Sequence, residues 1–468
     1  MPARSRRRLA VAAAVIAATV AATVLVGIPT GAGATSGTSF SVKQGRLDNG
    51  LEIYVYEDAT VPLVSVELWY RVGSRDEPVG RRGMAHLMEH MMFKGSTRVG
   101  PEEHARLIQE AGGVANAFTT TDATVYWEKV PSSQLALALA LEAERMVNLV
   151  ITPEHLATER EVVKEEYRLR AQNDPLGVAL DRFHALMFEG TPYAWTALGF
   201  LDDLDRVTVE DLEAFYRRYY APNNAVLVVA GDTTFEEILR LAEHYFGPIP
   251  AGEQPPRPVI AFEAPRQGGR ETTASLGRFG TMPMAIQVPG ILAGFAVPGA
   301  GHPDRYALGV ASLLLSTGET SRLHQRLVRE QQLAVVASGA PMLYADAGAF
   351  LAFSFYLPVH SAETQAEALL AEVERLGHEP PTQEELERAR NQLAASVAFQ
   401  FDTLDGVSTQ IGWAVVMEGG IQAFTDGIQP YLNVTADQVQ QVARRYFVRD
   451  NATVVAVIPE APGGLGQP

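Results

Sequence analysis

The fold class that the sequence predicts is α+β, built as two homologous halves, and three features predict it. The segment VTVEDLEAFYRRYYAPNNAVLVVAGD, from Val207 to Asp232, matches VTADQVQQVARRYFVRDNATVVAVIP, from Val434 to Pro459, without gaps at an offset of 227. The two share Val-Thr, Arg-Arg-Tyr and Asn-Ala, and each reads as a Thr-capped helix, a turn at the Asn and a β-branched strand. A second pair of long helical patterns, opened by Thr152-Pro153 and by Thr382, recurs at an offset of 230, so an internal duplication is the reading that joins them. Within each half, strands cluster instead of alternating strictly with helices. Leu51–Tyr56 and Val64–Val72 alternate as half-buried strands, Thr124–Lys129 reads as a strand, and Glu102–Ala111 and Pro131–Val147 read as amphipathic helices.

The first segment reads as a targeting sequence. Basic Met1–Arg8 precedes an apolar run from Leu9 to Ile28 and the small residues Ala32-Gly33-Ala34, a pattern that marks export to the periplasm or the medium. Ala32 and Ala34 fit cleavage after Ala34. The apolar run is also long enough to span a bilayer, so a membrane anchor is the alternative to a cleaved signal peptide. Residues 1–34 are therefore set apart from a first α+β domain over 40–246. A Pro- and Gly-rich stretch, 247–269, reads as a semi-extended linker. A second α+β domain, 270–460, and a short tail, 461–468, complete the chain.

Composition removes several functions. The sequence has no cysteine, which excludes disulfides, thiolate metal sites and a cysteine nucleophile. Any metal must be held by imidazole and carboxylate. The formal net charge is −17 although residues 1–34 carry four arginines and no acid, so the body is strongly acidic. That argues against nucleic acid and suits cationic or unfolded peptide partners.

The sharpest signal is Gly83-Met84-Ala85-His86-Leu87-Met88-Glu89-His90-Met91-Met92-Phe93. On a helix, positions i and i+4 lie on one face, so His86 and His90 can share a metal ion. Glu89 lies beside them at i+3, placed to act on a water without being a ligand. The H-x-x-E-H order inverts the commoner zinc helix H-E-x-x-H. Imidazole with oxygen ligands suits zinc, one ion per chain. His and Glu in so apolar a stretch would be costly to bury without that use.

A third ligand comes from the helix capped by Thr152 and running to about Ala171. Thr158, Glu161, Glu165, Arg168 and Gln172 form a polar stripe that should face water. Glu159, Val162, Val163 and Glu166 form a neighbouring stripe mixing acid with apolar residues, where a buried carboxylate needs a cation. Glu166 is thus the expected ligand, Glu165 a solvated acid, and Glu159, two turns earlier, a supporting carboxylate behind the ligands.

His86-x-x-Glu89-His90, followed by Phe93-Lys94-Gly95, Glu159 and Glu166, resembles the pitrilysin-type inverzincin peptidases, and most of all their processing-peptidase branch. The resemblance extends through Gly112-Gly113, Asn116-Ala117-Phe118-Thr119 and Phe215–Asn224, and covers nearly the whole chain. It implies two homologous halves enclosing a cavity in a layered sandwich, the first half catalytic and the second without a metal site. It implies an endopeptidase in which zinc polarises a water and the scissile carbonyl while Glu89 moves the proton to the leaving amine. An extended peptide would lie along an edge strand at Asn116, Ala117 and Phe118. The departures are equally specific. Relatives hold the substrate carbonyl with an Arg and, seven residues later, a Tyr, but those places fall on Val328 and Val335, and Ser396 replaces the Glu166 equivalent. A homologous subunit carrying the Arg and Tyr, in a heterodimer, or a homodimer would complete the site. The alternative function is a structural or binding subunit that keeps the shell without turnover.

Overall fold

The computed structural model describes residues 41–260, 278–284, 286 and 288–460. The segment read as a targeting sequence, residues 261–269 of the stretch 247–269 read as a linker, and the tail lie outside the described residues.

The first half is a six-stranded sheet with a helical layer. Its strands are β1 (Val42–Arg46), β2 (Glu52–Glu57), β3 (Leu63–Tyr70), β4 (Val114–Thr119), β5 (Thr124–Pro131) and β6 (Ala225–Gly231), in spatial order β1-β2-β6-β3-β5-β4. The second half has β7 (Arg278–Met284), β8 (Gly290–Pro298), β9 (Ala334–Leu343), β10 (Ala347–Tyr356) and β11 (Ala452–Pro459), in the order β7-β11-β8-β10-β9. Taken by position, β2-β6-β3-β5-β4 and β7-β11-β8-β10-β9 are one topology used twice, each with a parallel first pair. The duplication read from two short segments therefore extends through both sheets.

Helices α1 (Met84–Met91), α2 (Glu103–Glu110), α3 (Leu135–Asn148), α4 (Pro153–Tyr167), α5 (Pro175–Met187), α6 (Val209–Tyr219) and α7 (Phe235–Tyr245) belong to the first half. The second half has α8 (Asp304–Ser316), α9 (Ala362–His378), α10 (Gln383–Gln400), α11 (Leu404–Met417) and α12 (Ala436–Tyr446). Thr208 and Thr435 cap α6 and α12 with reciprocal capping boxes, and Thr152 caps α4, each threonine oxygen accepting an otherwise orphaned backbone N–H. Two boundaries differ from expectation. Strand β5 runs on to Pro131, so α3 starts only at Leu135 after a short turn, and beyond Tyr167 the α4 backbone continues as a π-helical turn, Arg168–Gln172.

A larger difference concerns β3, expected to be half-buried and found buried on both faces. Its second face is covered by α11, which comes from the other half and packs on β2, β3 and β6. Reciprocally, α5 of the first half packs on β7, β8 and β11 of the second. Val407, Ile411 and Ala414 of α11 join Trp69, Val226 and Val228 in one buried cluster, and Ala179 and Phe183 of α5 join Leu292, Leu351 and Val455 in another. The approach of α11 is close at Gly412, where an added Cβ would stand 2.2 Å from the Trp69 ring. Only glycine fits there.

Polar contacts reinforce the exchange. Buried Glu67 of β3 accepts from Trp69 Nε1 at 2.7 Å, Ser408 Oγ at 2.8 Å and Thr409 Oγ1 at 2.7 Å. Buried Arg75 donates to Asp122 at 2.8 Å, Tyr193 Oη at 2.8 Å, the Pro258 carbonyl at 2.7 Å and Asp346 at 2.7 Å. One guanidinium thus ties the first half, the linker and the second half together, in the fork geometry that Arg alone supplies.

Candidate metal centre

Helix α1 is apolar almost all round, with Met84, Ala85, Leu87, Met88 and Met91 buried. It is held at its start by a carboxylate from outside the helix. Gly83 turns the chain into α1 at a φ of 92°, and Glu77 accepts from the backbone N–H of Gly83 at 3.0 Å and of Ala85 at 2.8 Å. Trp195 Nε1 also donates to Glu77, at 3.1 Å. Burial pushes the Glu77 carboxyl up to about 8, against the pull of those bonds. A carboxyl with two acceptor oxygens is well placed there, where the helix presents unpaired N–H groups.

From this anchored helix, His86 and His90 face α4. Each presents Nε2 at 3.6 Å from the same oxygen, Oε2 of Glu166, and the three candidate ligand atoms all lie within 4.8 Å of one another. At 3.6 Å these are ion-pair distances and not hydrogen bonds. They match the spacing of roughly 3.3 Å expected between atoms that each sit about 2.0–2.1 Å from a tetrahedral zinc. The donor set therefore fits the metal. The other Glu166 oxygen accepts from Arg170 at 2.8 Å.

Behind His90, its Nδ1 lies 3.1 Å from Glu159 Oε2, and Lys94 holds the second Glu159 oxygen at 2.9 Å. A carboxylate on Nδ1 fixes the proton there and leaves the Nε2 lone pair for the cluster. His86 Nδ1 is buried without a hydrogen-bond partner among the described residues. Burial and the neighbouring His90 push the His86 imidazole down to about 4, so it is neutral and able to ligate at neutral pH. For His90, burial acts downward but Glu166 and Glu159 outweigh it, and its net shift is upward. His90 in turn helps draw Glu166 down to about 2.

Glu89 lies outside this trio. Its Oε2 accepts a 2.5 Å bond from Thr119 Oγ1, and burial raises the carboxyl above the usual range. Strand β4, which carries Thr119, is one of the two edge strands of the first sheet. Alternation turns Ala115, Ala117 and Thr119 toward α1 and leaves Asn116 and Phe118 on the opposite side. Asn116 is exposed and its Oδ1 accepts from the Ala117 N–H at 2.9 Å. The Phe118 ring packs edge-on against Trp69 at 5.9 Å and is half-buried.

On α4, Glu159, Val163 and Glu166 form the inward face, while Glu165 is exposed and pairs with Arg168 at 2.9 Å. Val162, expected on the inward stripe, is 46% exposed, because it sits at the rim of that face, about 60° from Glu159 at 100° per residue. Sequence reasoning missed Glu77, Lys94 and Thr119. Thr119 had a signal, since it stands two residues after Ala117 on the same strand face. Glu77 had none, because its partners are backbone groups.

A second trio, His104, Glu128 and Glu142, is fully buried. Its cation is already present, because Arg145 bonds to both carboxylates. In the second half, Val328 packs against the core and Val335 lies at the start of β9, so neither offers a donor. Arg329, next to Val328, is paired with Glu319 at 2.6 Å on the surface. Ser396 donates to the Leu393 carbonyl of its own helix at 2.9 Å.

A duplicated α+β chain in which one copy carries a His, His and Glu trio defines a class of metallopeptidase-type folds. Two family models match it: insulinase (peptidase family M16) over residues 53–199 and the peptidase M16 inactive domain over 206–393. The zinc protease PqqE of Helicobacter pylori is 30% identical over 88% of this chain and 92% of its own length. A zinc protease of Streptomyces coelicolor is 27% identical over 86% and 87%. The crystal structure of a protease from Helicobacter pylori superposes with a TM-score of 0.82 at 29% identity, covering 90% of this chain and 100% of that one. The chain belongs to the M16 peptidase family, whose fold the two halves reproduce.

Proposed function

We propose that this chain is an exported zinc-dependent endopeptidase acting on extended or unfolded peptides. The observation that carries the reading is the division of labour on α1: His86 and His90 converge with Glu166, while Glu89, on the same helix, is held apart by Thr119. A bare zinc-binding protein would not need that separate carboxylate. His86, His90 and Glu166 would hold one zinc, with Glu159 orienting His90. When bound there, zinc supplies Lewis acidity toward a water and a peptide carbonyl. Glu89 accepts the proton of the attacking water and returns it to the leaving nitrogen. The free edge of β4 offers its backbone at Asn116, Ala117 and Phe118 to an extended peptide, which makes recognition depend on shape more than on sequence.

Export rests on the basic, apolar and small-residue succession of residues 1–34. No helix among the described residues is long and apolar enough to cross a membrane. The absence of a hydrogen-bond donor at Val328 and Val335 supports a second element of the reading, a homologous partner subunit that supplies the carbonyl clamp. The same absence favours the rival reading, a binding subunit without turnover. The test is purified chain with zinc, incubated with an unfolded peptide library with and without chelator, beside Glu89→Gln. Chelator-sensitive cleavage by wild type and none by a zinc-loaded Glu89→Gln is the expected result. Full activity in Glu89→Gln, or no metal in wild type, refutes the assignment.

A further inference from the structure

Glu89 is the one group of the candidate centre whose carboxylate is fixed by a residue of the substrate-side strand, and that strand is itself held with little freedom. Thr119 is the last residue of β4 and is paired with Thr124 across the ladder. Immediately after it the chain turns, with the Thr120 N–H donating to the Ala123 carbonyl at 2.8 Å and Thr120 Oγ1 accepting from the Ala123 N–H at 3.0 Å. The carbonyls of Thr120 and Thr121 in turn accept from the backbone N–H of Ser74 at 3.2 Å and Arg75 at 3.0 Å. The Thr119 backbone is thus clamped between a ladder and a bonded turn. Its β-branched side chain has few rotamers to choose from. The hydroxyl reaches Glu89 Oε2 at 2.5 Å, and among the described residues no hydrogen bond is made to Glu89 Oε1.

We propose that Thr119 is the positioning residue of the general base. Its hydroxyl occupies Oε2 of Glu89, orients the carboxylate plane and leaves Oε1 as the single oxygen that takes the proton from water. Because Thr119 ends the strand whose free edge would seat the peptide, one rigid segment registers both the base and the scissile bond. A loose carboxylate on the same helix would have to find that orientation in every turnover, and fixed geometry of this kind is where enzymes gain rate. The bond to a charged acceptor is of the stronger kind, which suits an orienting role. The inference rests on the peptidase reading for the role of Glu89, but not for the geometry it predicts.

The test compares Thr119→Val, which keeps the shape and removes the donor, with Thr119→Ser, which keeps the donor. Each is loaded with zinc, measured for metal content, assayed on an unfolded peptide and crystallised. Thr119→Val should retain one zinc and a near-normal KM, lose about 10–100-fold in kcat, the usual size for an orienting partner, and show the Glu89 carboxylate rotated or split between conformers. Thr119→Ser should restore the wild-type carboxylate and most of kcat. An unmoved Glu89 in Thr119→Val overturns the proposal. So does a Thr119→Ser variant as slow as Thr119→Val, or loss of zinc from Thr119→Val, which would make Thr119 a scaffold residue of the metal site. If zinc-loaded wild type cleaves nothing, the peptidase reading fails, while the position of Glu89 in the crystals still decides the positioning claim.

Discussion

Replacing Glu67 by Gln should change how stability depends on pH, and the structure sets the size of the change. Glu67 is wholly buried where α11 crosses onto the first sheet, and burial pushes its carboxyl from 4.5 up to about 7, against the bonds from Thr409, Ser408 and Trp69 and with a further upward push from Asp405. An acid whose pKa is raised by folding binds more protons folded than unfolded, so stability is greatest below the unfolded value and falls as pH rises through the folded one. The window runs from 4.5 to about 7. A shift of that size at 1.36 kcal/mol per unit amounts to about 3 kcal/mol lost once pH is well above the window. Gln imitates the protonated acid, since its carbonyl can accept from Trp69 while its amide donates to Ser408 and Thr409, whose hydroxyls rotate to accept. Guanidinium unfolding at pH 5, 7 and 9, in chelator so that metal binding does not vary, should therefore give near-equal stabilities at pH 5. At pH 9 Glu67→Gln should be ahead by up to about 3 kcal/mol. Parallel pH profiles for the two proteins would refute the reasoning, because the carboxylate would then carry no folding-linked proton.

Three further outcomes are expected. Glu166→Gln should lose most of its zinc by elemental analysis while Glu165→Gln keeps it, because Glu165 is exposed beside Arg168 and only Glu166 meets both imidazoles; equal loss would mean the two carboxylates interchange. Gly412→Ala should destabilise the chain by about 1–3 kcal/mol in the same unfolding assay, since its Cβ meets the Trp69 ring and the helix must lift away. Adding a homologous chain that carries an Arg and Tyr at the places of Val328 and Val335 should raise peptide turnover by at least about tenfold, a threshold set below the roughly 10²–10³ that one transition-state donor contributes. Isolated chain as fast as the mixture would remove the need for a partner.

The parts of this molecule legible in the sequence were those encoded locally. His86, Glu89 and His90 share one helical turn, Glu166 and Glu165 were separable by helical phase, and the capping threonines at 152, 208 and 435 announced their helices. The elements that went unread depend on partners far away in the chain. Strand β3 has the alternating pattern of a half-buried strand, and nothing near it signals that α11, more than three hundred residues later, covers its other face. Helices α5 and α11 each serve the opposite half, so neither shows its purpose in its own neighbourhood. Glu77 acts through bonds from backbone N–H groups and Trp195, which leave no periodic trace, and Thr119 through one hydrogen bond across the fold that strand alternation alone only hints at.

The duplication also explains why one half bears a candidate metal site and the other does not. In the first half, α1 follows β3 and packs on α4, and that helix pair carries His86, Glu89, His90, Glu159 and Glu166 at its contact. In the second half, α8 follows β8 and packs on α10, the same pair in the same place. There the contact is apolar: Leu308, Val310, Ala311, Leu314 and Leu315 of α8 and Leu386, Ala389 and Leu393 of α10 are all buried in one core. Packing of that kind stabilises a helix pair outright, at about 1.5–3 kcal/mol for each large side chain buried. The first half forgoes part of it: His86, Glu89 and Glu159 are buried and His90 and Glu166 half-buried, polar groups that are costly there without a cation to gather them. A duplicated scaffold can carry such a site because the exchanged helices let the apolar core of one half buttress the other. Trp69, Val226 and Val228 of the half with the candidate metal site are packed by α11 from the other half.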